Sequence, residues 1–188
     1  METKMKNKLS LLLGLLLLTA GSGPAVGEVT EYSVKAAYLY NFSQFVRWPK
    51  TAFAADDSPF VIGIVGEDPF GSTLDSEVTG KTIGGHSLSV KRFGSFNPQR
   101  AAALGRCQIL FIAYSEKDQI RDILQALAGS KTLTVSEIES FPVKGGAIQF
   151  DQVGQRITIT LNEDAAKKAG LSISAQLLQV AKLFKAED

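Results

Sequence analysis

The chain contains one cysteine, one histidine and no excess of charge of either sign. Lys and Arg number 20 and Asp and Glu number 19, so the formal net charge is +1. Charge this balanced gives no electrostatic reason to expect nucleic-acid binding. A single Cys cannot form an intrachain disulfide, and with one His it leaves too few ligands for a structural zinc site. The sequence therefore predicts no metal, no cofactor and no internal disulfide.

Motifs for catalysis are also missing. Gly66 and Gly71 have the spacing of a phosphate-binding loop, but Ser72 stands where such a loop needs Lys. No G-x-S-x-G motif accompanies His86, so a Ser-His-Asp triad has little support. The carboxylates are scattered, without a setting that would separate their pKa values. We expect no catalytic residues, and an exported hydrolase built on His86 is the least favoured alternative.

The first 27 residues differ in composition from the rest. Three lysines within the first eight residues precede an apolar run at 9–18, and small residues follow as far as Gly27. These are the three parts of a secretory signal peptide, and a run of about ten residues is too short to span a bilayer. We expect cleavage after Gly27, with Ala20 as the alternative. The prediction is a signal peptide at 1–27 and a single exported domain at 28–188.

Apolar strands alternate with helices along the remaining chain. Continuous or alternating apolar runs predict strands at 60–65, 87–93, 108–113 and 133–135, and a hairpin at 147–150 and 156–161. Helical patterns cover 30–48, 115–128 and a final segment that begins at Ser174. This order predicts an α/β fold, a three-layer α/β/α sandwich with a mostly parallel central sheet and a late antiparallel hairpin.

The first predicted helix is rich in aromatic residues, with six of the chain's 16 between residues 30 and 48. Core packing is the favoured interpretation of the helix as a whole. One apolar stripe cannot bury all six, however, so we expect Tyr40 and Trp48 to lie off it. Together with the loops around Phe70 and Phe141, they are the predicted partner-binding residues.

Ligands of α/β proteins bind at the carboxyl ends of the parallel strands. The side chains that the sequence places there define a predicted ligand crevice: Asp68, Phe70, Tyr114, Ser115 and Ser136. The lone thiol, Cys107, comes directly before a buried strand. It is either an inert core thiol or, in an oxidising compartment, the source of a bond between two chains.

Several longer strings resemble the YfiR family of periplasmic proteins. The similarity runs over roughly residues 32–184 and includes an aromatic-rich V-K-A-A-Y-L-Y-N-F segment and a strand that leads into D-P-F-G. The matching segments are 34–42, 45–46, 48–49, 60–66, 68–71, 107–112, 145–146, Phe150 and 161–166. Further matches follow at 169–171, 173–174 and 177–178. Taken together, these strings are specific.

The resemblance implies a regulator. YfiR-like proteins repress a membrane diguanylate cyclase by binding its periplasmic sensor region, and an OmpA-like outer-membrane lipoprotein sequesters the repressor. The implied output is lower cyclic di-GMP and less biofilm, and dimers are usual in the family. Other members accompany sensor kinases, so a periplasmic small-ligand-sensing module that feeds a kinase is the alternative.

The chain also departs from this family. Some YfiR-like proteins carry Cys at the position of Gly63, paired with the Cys that matches Cys107, and a second pair later in the chain. Because Gly63 replaces one partner and the later pair is missing, the resemblance implies that internal disulfides are not available to this protein.

Overall fold

An eight-stranded sheet forms the centre of the fold in residues 30–185, the part of the chain that the computed structural model describes. The predicted signal peptide lies outside the described residues, so its cleavage stays a prediction. The α-helices are α1 Glu31–Phe45, α2 Ser72–Val78, α3 Ala101–Leu104, α4 Ile120–Ala126, α5 Glu163–Lys168 and α6 Ala175–Val180. The strands are β1 Val46–Arg47, β2 Phe60–Val65, β3 Thr82–Ile83, β4 His86–Arg92, β5 Ile109–Ile112, β6 Leu133–Ser136, β7 Ile148–Val153, β8 Arg156–Leu161, β9 Ser172–Ile173 and β10 Lys182–Leu183.

The order of strands across the main sheet is β10-β8-β7-β6-β5-β2-β4-β3. Neighbours from β4 to β7 run parallel, whereas β3 is antiparallel to β4 and β8 is antiparallel to β7. The turn between β7 and β8 needs Gly154, whose φ of 63° lies in the left-handed region. The mostly parallel sheet and the late hairpin are therefore confirmed.

Alternate residues of β5 show that both faces of the sheet are covered. Ile109 and Phe111 belong to one buried cluster, which also contains Phe42 of α1. Leu110 and Ile112 point to the opposite face, where they join a second buried cluster with the side chains of α3 and α4. Strands buried on both faces have continuous apolar sequences, as β2 and β5 do. The structure thus has the three expected layers.

Helix α1 is shorter than its sequence pattern predicts. It begins after Thr30, whose hydroxyl accepts a hydrogen bond from the backbone N–H of Ser33 at 3.2 Å. It ends at Phe45 rather than at residue 48, because β1 leaves the helix and pairs antiparallel with β9, with Val46 opposite Ile173. This pairing is a tertiary contact, which the helical periodicity cannot reveal.

Two other helices also differ from the sequence prediction. Ser115 does not start α4, because its hydroxyl accepts a hydrogen bond from the N–H of Glu67 at 2.9 Å. Residues 114–116 instead form a 3-10 turn, and α4 begins at Ile120. The final helix ends at Val180, because β10 follows at once and pairs parallel with β8.

Candidate partner-binding groove

A groove of about 560 Å³ lies at the amino ends of β2 and β4. Its walls come from the chain that leaves α1, the loop before β2 and the turn between β3 and β4. The groove is thus at the sheet edge opposite the predicted ligand crevice. Trp48 lines it, as one of the predicted partner-binding residues.

Two aromatic pairs form the apolar part of this groove. The rings of Trp48 and Phe60 meet edge to face, with centroids 4.9 Å apart. Phe53 stacks on His86 with centroids 3.9 Å apart and an interplanar angle of 6°. Nδ1 of His86 donates to the carbonyl of Ser58 at 2.7 Å, since a carbonyl can only accept. In the neutral ring, Nε2 is then left as a hydrogen-bond acceptor.

Gln108, which is buried, holds Trp48 and the following turn at the sheet. The backbone carbonyl of Gln108 accepts a hydrogen bond from the indole Nε1–H of Trp48 at 3.0 Å. Its side-chain amide bonds the N–H of Val61 and the carbonyl of Ala52, both at 2.7 Å. Sequence reasoning missed this role of Gln108. The available signal was a polar residue at the start of a buried apolar strand.

The rim of the groove is charged. Arg47, Lys50 and Asp56 are exposed there. None of the three makes a salt bridge or a side-chain hydrogen bond to another residue of the described chain. Two cations and one carboxylate are therefore free to meet charges of a binding partner.

The other predicted partner-binding residues lie elsewhere and are less accessible. Tyr40 is half-buried, and the ammonium group of Lys81 covers its ring at 3.7 Å from the centroid. Phe70 is 3% exposed and Phe141 is completely buried. Their side chains offer no surface to a partner, so the expectation for Phe70 and Phe141 is corrected. Trp48 is the predicted aromatic residue that lines an open groove.

The loop after β2 is closed by an ion-pair network around Arg92. Its guanidinium group contacts the carboxylates of Asp68 and Asp75, both at 2.6 Å, and the carbonyl of Gly71 at 2.7 Å. The hydrogen bonds from Arg92 lower the pKa of Asp75 and raise that of Arg92 itself. The backbone N–H of Phe70 donates to the other oxygen of Asp68 at 2.8 Å. Both carboxylate oxygens of Asp68 are therefore hydrogen-bonded within the protein.

The remaining residues of the predicted crevice are also engaged or scattered. Ser136 is fully buried and its hydroxyl donates to the carbonyl of Ile112 at 2.8 Å. The hydroxyl of Ser115 holds the backbone of Glu67. Tyr114 is 55% exposed, with Lys117 against its ring. The side chains of Asp68, Ser115 and Ser136 are thus hydrogen-bonded within the protein and Tyr114 is exposed, and the ligand crevice itself stays a prediction.

A charged cluster that the sequence did not predict ties α1 to the end of β6. The ammonium group of Lys35, 3% exposed, bonds the carboxylates of Glu31 and Glu137. Burial alone would lower the pKa of Lys35, but hydrogen bonds to Glu137 and Glu31 outweigh it and raise the pKa. Burial, reinforced by the charge of Glu137, raises the pKa of the Tyr32 phenol. Charge-assisted hydrogen bonds of this cluster thus connect the helix to the end of the strand.

Cys107 is a free and buried thiol. Burial raises its pKa to about 12, which keeps it protonated and poorly nucleophilic. A Cβ atom built on Gly63 would lie 2.7 Å from the Cys107 Sγ. The thiol of Cys107, which lies just before β5, is therefore in contact with Gly63 of β2, the position that cysteine-paired relatives occupy with Cys.

The sequence pattern of the YfiR/HmsC-like family matches residues 32–182, which is most of the chain. The chain belongs to the YfiR/HmsC-like family. No curated protein matches the chain. In residues 30–185, no helix is long and apolar enough to cross a bilayer.

Two solved structures show the same fold. A conserved domain protein from Vibrio cholerae O1 biovar El Tor is 13% identical, with a TM-score of 0.57, and the match covers 83% of this chain and 60% of that one. The ABC domain in complex with L-Trp from Streptococcus pneumoniae is 11% identical, with a TM-score of 0.50 and coverages of 71% and 57%. This chain thus spans about three fifths of those proteins. At such low identity the similarity extends to the fold alone.

Proposed function

We propose that this protein is a periplasmic regulator that binds the periplasmic region of an inner-membrane diguanylate cyclase and represses the enzyme. The family match over residues 32–182 is the observation that carries this proposal. The open groove beside Trp48, with free charges on its rim, supports it as a surface suited to binding another protein. Repression lowers cyclic di-GMP and biofilm formation. We also propose an OmpA-like outer-membrane lipoprotein as the antagonist and a homodimer as the resting form.

The proposal is tested by deleting the gene and measuring cyclic di-GMP in the cell. We expect cyclic di-GMP and biofilm to rise, and to return to normal when the gene is restored on a plasmid. The purified protein should also bind the purified periplasmic region of a membrane diguanylate cyclase that is encoded beside it. Unchanged cyclic di-GMP after deletion, together with no binding, would contradict the proposal.

A second candidate function follows from the size of the groove. Its volume of about 560 Å³ falls within the range of roughly 300–1,000 Å³ that is usual for small-molecule sites. This supports a ligand-sensing module that acts on a sensor kinase. Deletion of the gene would then change the output of the kinase and leave cyclic di-GMP constant.

A further inference from the structure

We propose that the groove beside Trp48 binds an extended segment of the partner protein in which an aromatic side chain lies next to acidic ones. This inference rests on the proposed function, because it names the surface and the chemistry by which the cyclase is recognised. Three independent features of the groove support it: its aromatic pairs, its unpaired cations and the strand edge beside it.

The aromatic pairs supply the anchor site for an aromatic side chain. The rings of Trp48 and Phe53 are each half-buried and held by neighbours, Trp48 by Phe60 and Gln108, and Phe53 by His86. Their orientation is fixed before a partner arrives, so binding costs little side-chain entropy there. A partner ring can meet them edge to face or offset, the arrangements that aromatic pairs prefer.

The charges on the rim select an acidic neighbour for that ring. Arg47 and Lys50 are exposed and have no carboxylate partner in the described chain, whereas Lys35, Lys81 and Arg92 are ion-paired. The groove lining contains only one carboxylate, that of Asp56, against these two cations. A segment that carries Asp or Glu beside its aromatic residue therefore complements the groove in charge.

A neighbouring strand favours a polypeptide over a small molecule. Residues of β1 and β3 line the groove. Within residues 30–185, β3 pairs only with β4, so its other edge can pair with an extended chain, whereas the N–H of Val46 in β1 already donates to the carbonyl of Phe42. A small aromatic acid would use the rings and the cations but not the backbone groups of β3.

The test compares two double variants of the full exported protein in binding to the periplasmic region of the cyclase. Arg47→Glu with Lys50→Glu reverses the rim charge without touching the core. Arg106→Glu with Arg121→Glu is the matched control, because both of these arginines are exposed, unpaired and outside the groove. We expect the groove variant to bind at least about tenfold more weakly, with a reduced dependence on salt. The control should bind like the wild type.

Melting temperatures check that each variant is folded, and Lys50→Glu alone, in an exposed turn, serves if the double variant is unstable. Labelled peptides that tile the cyclase region identify the segment. We expect the best competitor to contain an aromatic residue beside Asp or Glu, and to lose about tenfold in affinity when Asn or Gln replaces the acid. If the wild type binds and the folded groove variant binds equally well, or no peptide competes, the groove inference is wrong while the proposed function stands. If the wild type does not bind the cyclase region, the proposed function fails, and the inference with it.

Discussion

Replacing Gly63 by Cys should create a disulfide with Cys107. Gly63 lies in β2, where a Cβ added to its backbone would come within 2.7 Å of the Cys107 Sγ and 3.0 Å of both Leu110 Cδ1 and Phe93 Cε2. In a disulfide, each Cβ lies about 3 Å from the sulfur of its partner. The sulfur of Cys107 is therefore within about 0.3 Å of the separation that the bond requires.

Two opposing contributions determine the stability of this variant. Before oxidation, the added side chain overpacks the strand and should cost about 1–3 kcal/mol in the free energy of unfolding. The bond would close a loop of about 45 residues, which the chain-entropy account values at about 4 kcal/mol. The oxidised form should thus be about 4 kcal/mol more stable than the reduced form of the same variant.

Urea unfolding, followed by the fluorescence of the single Trp, measures this difference with and without reductant. Gly63→Ser is the matched control, because it adds a side chain of similar shape that cannot form the bond. Its stability should be about 1–3 kcal/mol below that of the wild type and should not respond to reductant. The contact between residue 63 and Cys107 would be refuted if the Gly63→Cys variant, unfolded after oxidation, still had two titratable thiols. It would also be refuted if reduction did not change the stability of this variant.

Three further predictions follow from the titratable groups. The pKa of Cys107 is raised to about 12, so the unfolded chain loses the thiol proton at lower pH than the folded chain does. The free energy of unfolding should therefore fall by up to about 1.4 kcal/mol per pH unit above pH 9. Urea unfolding of the Cys107→Ala variant should lack this contribution to the pH dependence. Lys35→Met should cost about 2 kcal/mol at pH 7. Because the pKa of Lys35 is raised, this advantage of the wild type should persist at neutral pH and disappear as pH rises past about 10.5, and an equally large difference at pH 12 would contradict it. Arg92→Met should cost about 1 kcal/mol at neutral pH and low salt. Because the pKa of Asp75 is lowered from its ordinary value of 3.8, that difference should be full above this pH and shrink as pH falls below it, and thermal unfolding across pH would show whether it does.

The strands of the central sheet were predictable because burial on both faces produces apolar runs. Strands β2 and β5 follow such runs closely, whereas β8 follows an alternating pattern with one buried face. The two-residue strands were not predictable, since they have too few residues for a period. They depend on tertiary pairing, as the end of α1 shows by its contact with β9.

The candidate site was predictable in part. The position of Trp48, just past the apolar stripe of α1, indicated an aromatic residue away from the core. Its neighbours Phe53 and His86 are brought together by the packing of two separate segments, which no local pattern reveals. The sequence places Phe141 in a loop that is expected to contact a partner. The loop folds back, however, and a Cβ on Gly146 would come within 2.2 Å of the Phe141 ring.

Synthesis of cyclic di-GMP by the membrane-bound cyclase is the most direct measure of the proposed function. The full-length enzyme is reconstituted in nanodiscs, which leave both its periplasmic region and its catalytic domain accessible, and increasing amounts of this protein are added. We predict that synthesis falls in a dose-dependent way, and that the variant with Arg47→Glu and Lys50→Glu needs about tenfold more protein for the same effect. Unchanged synthesis at every concentration of the folded wild-type protein would contradict the account.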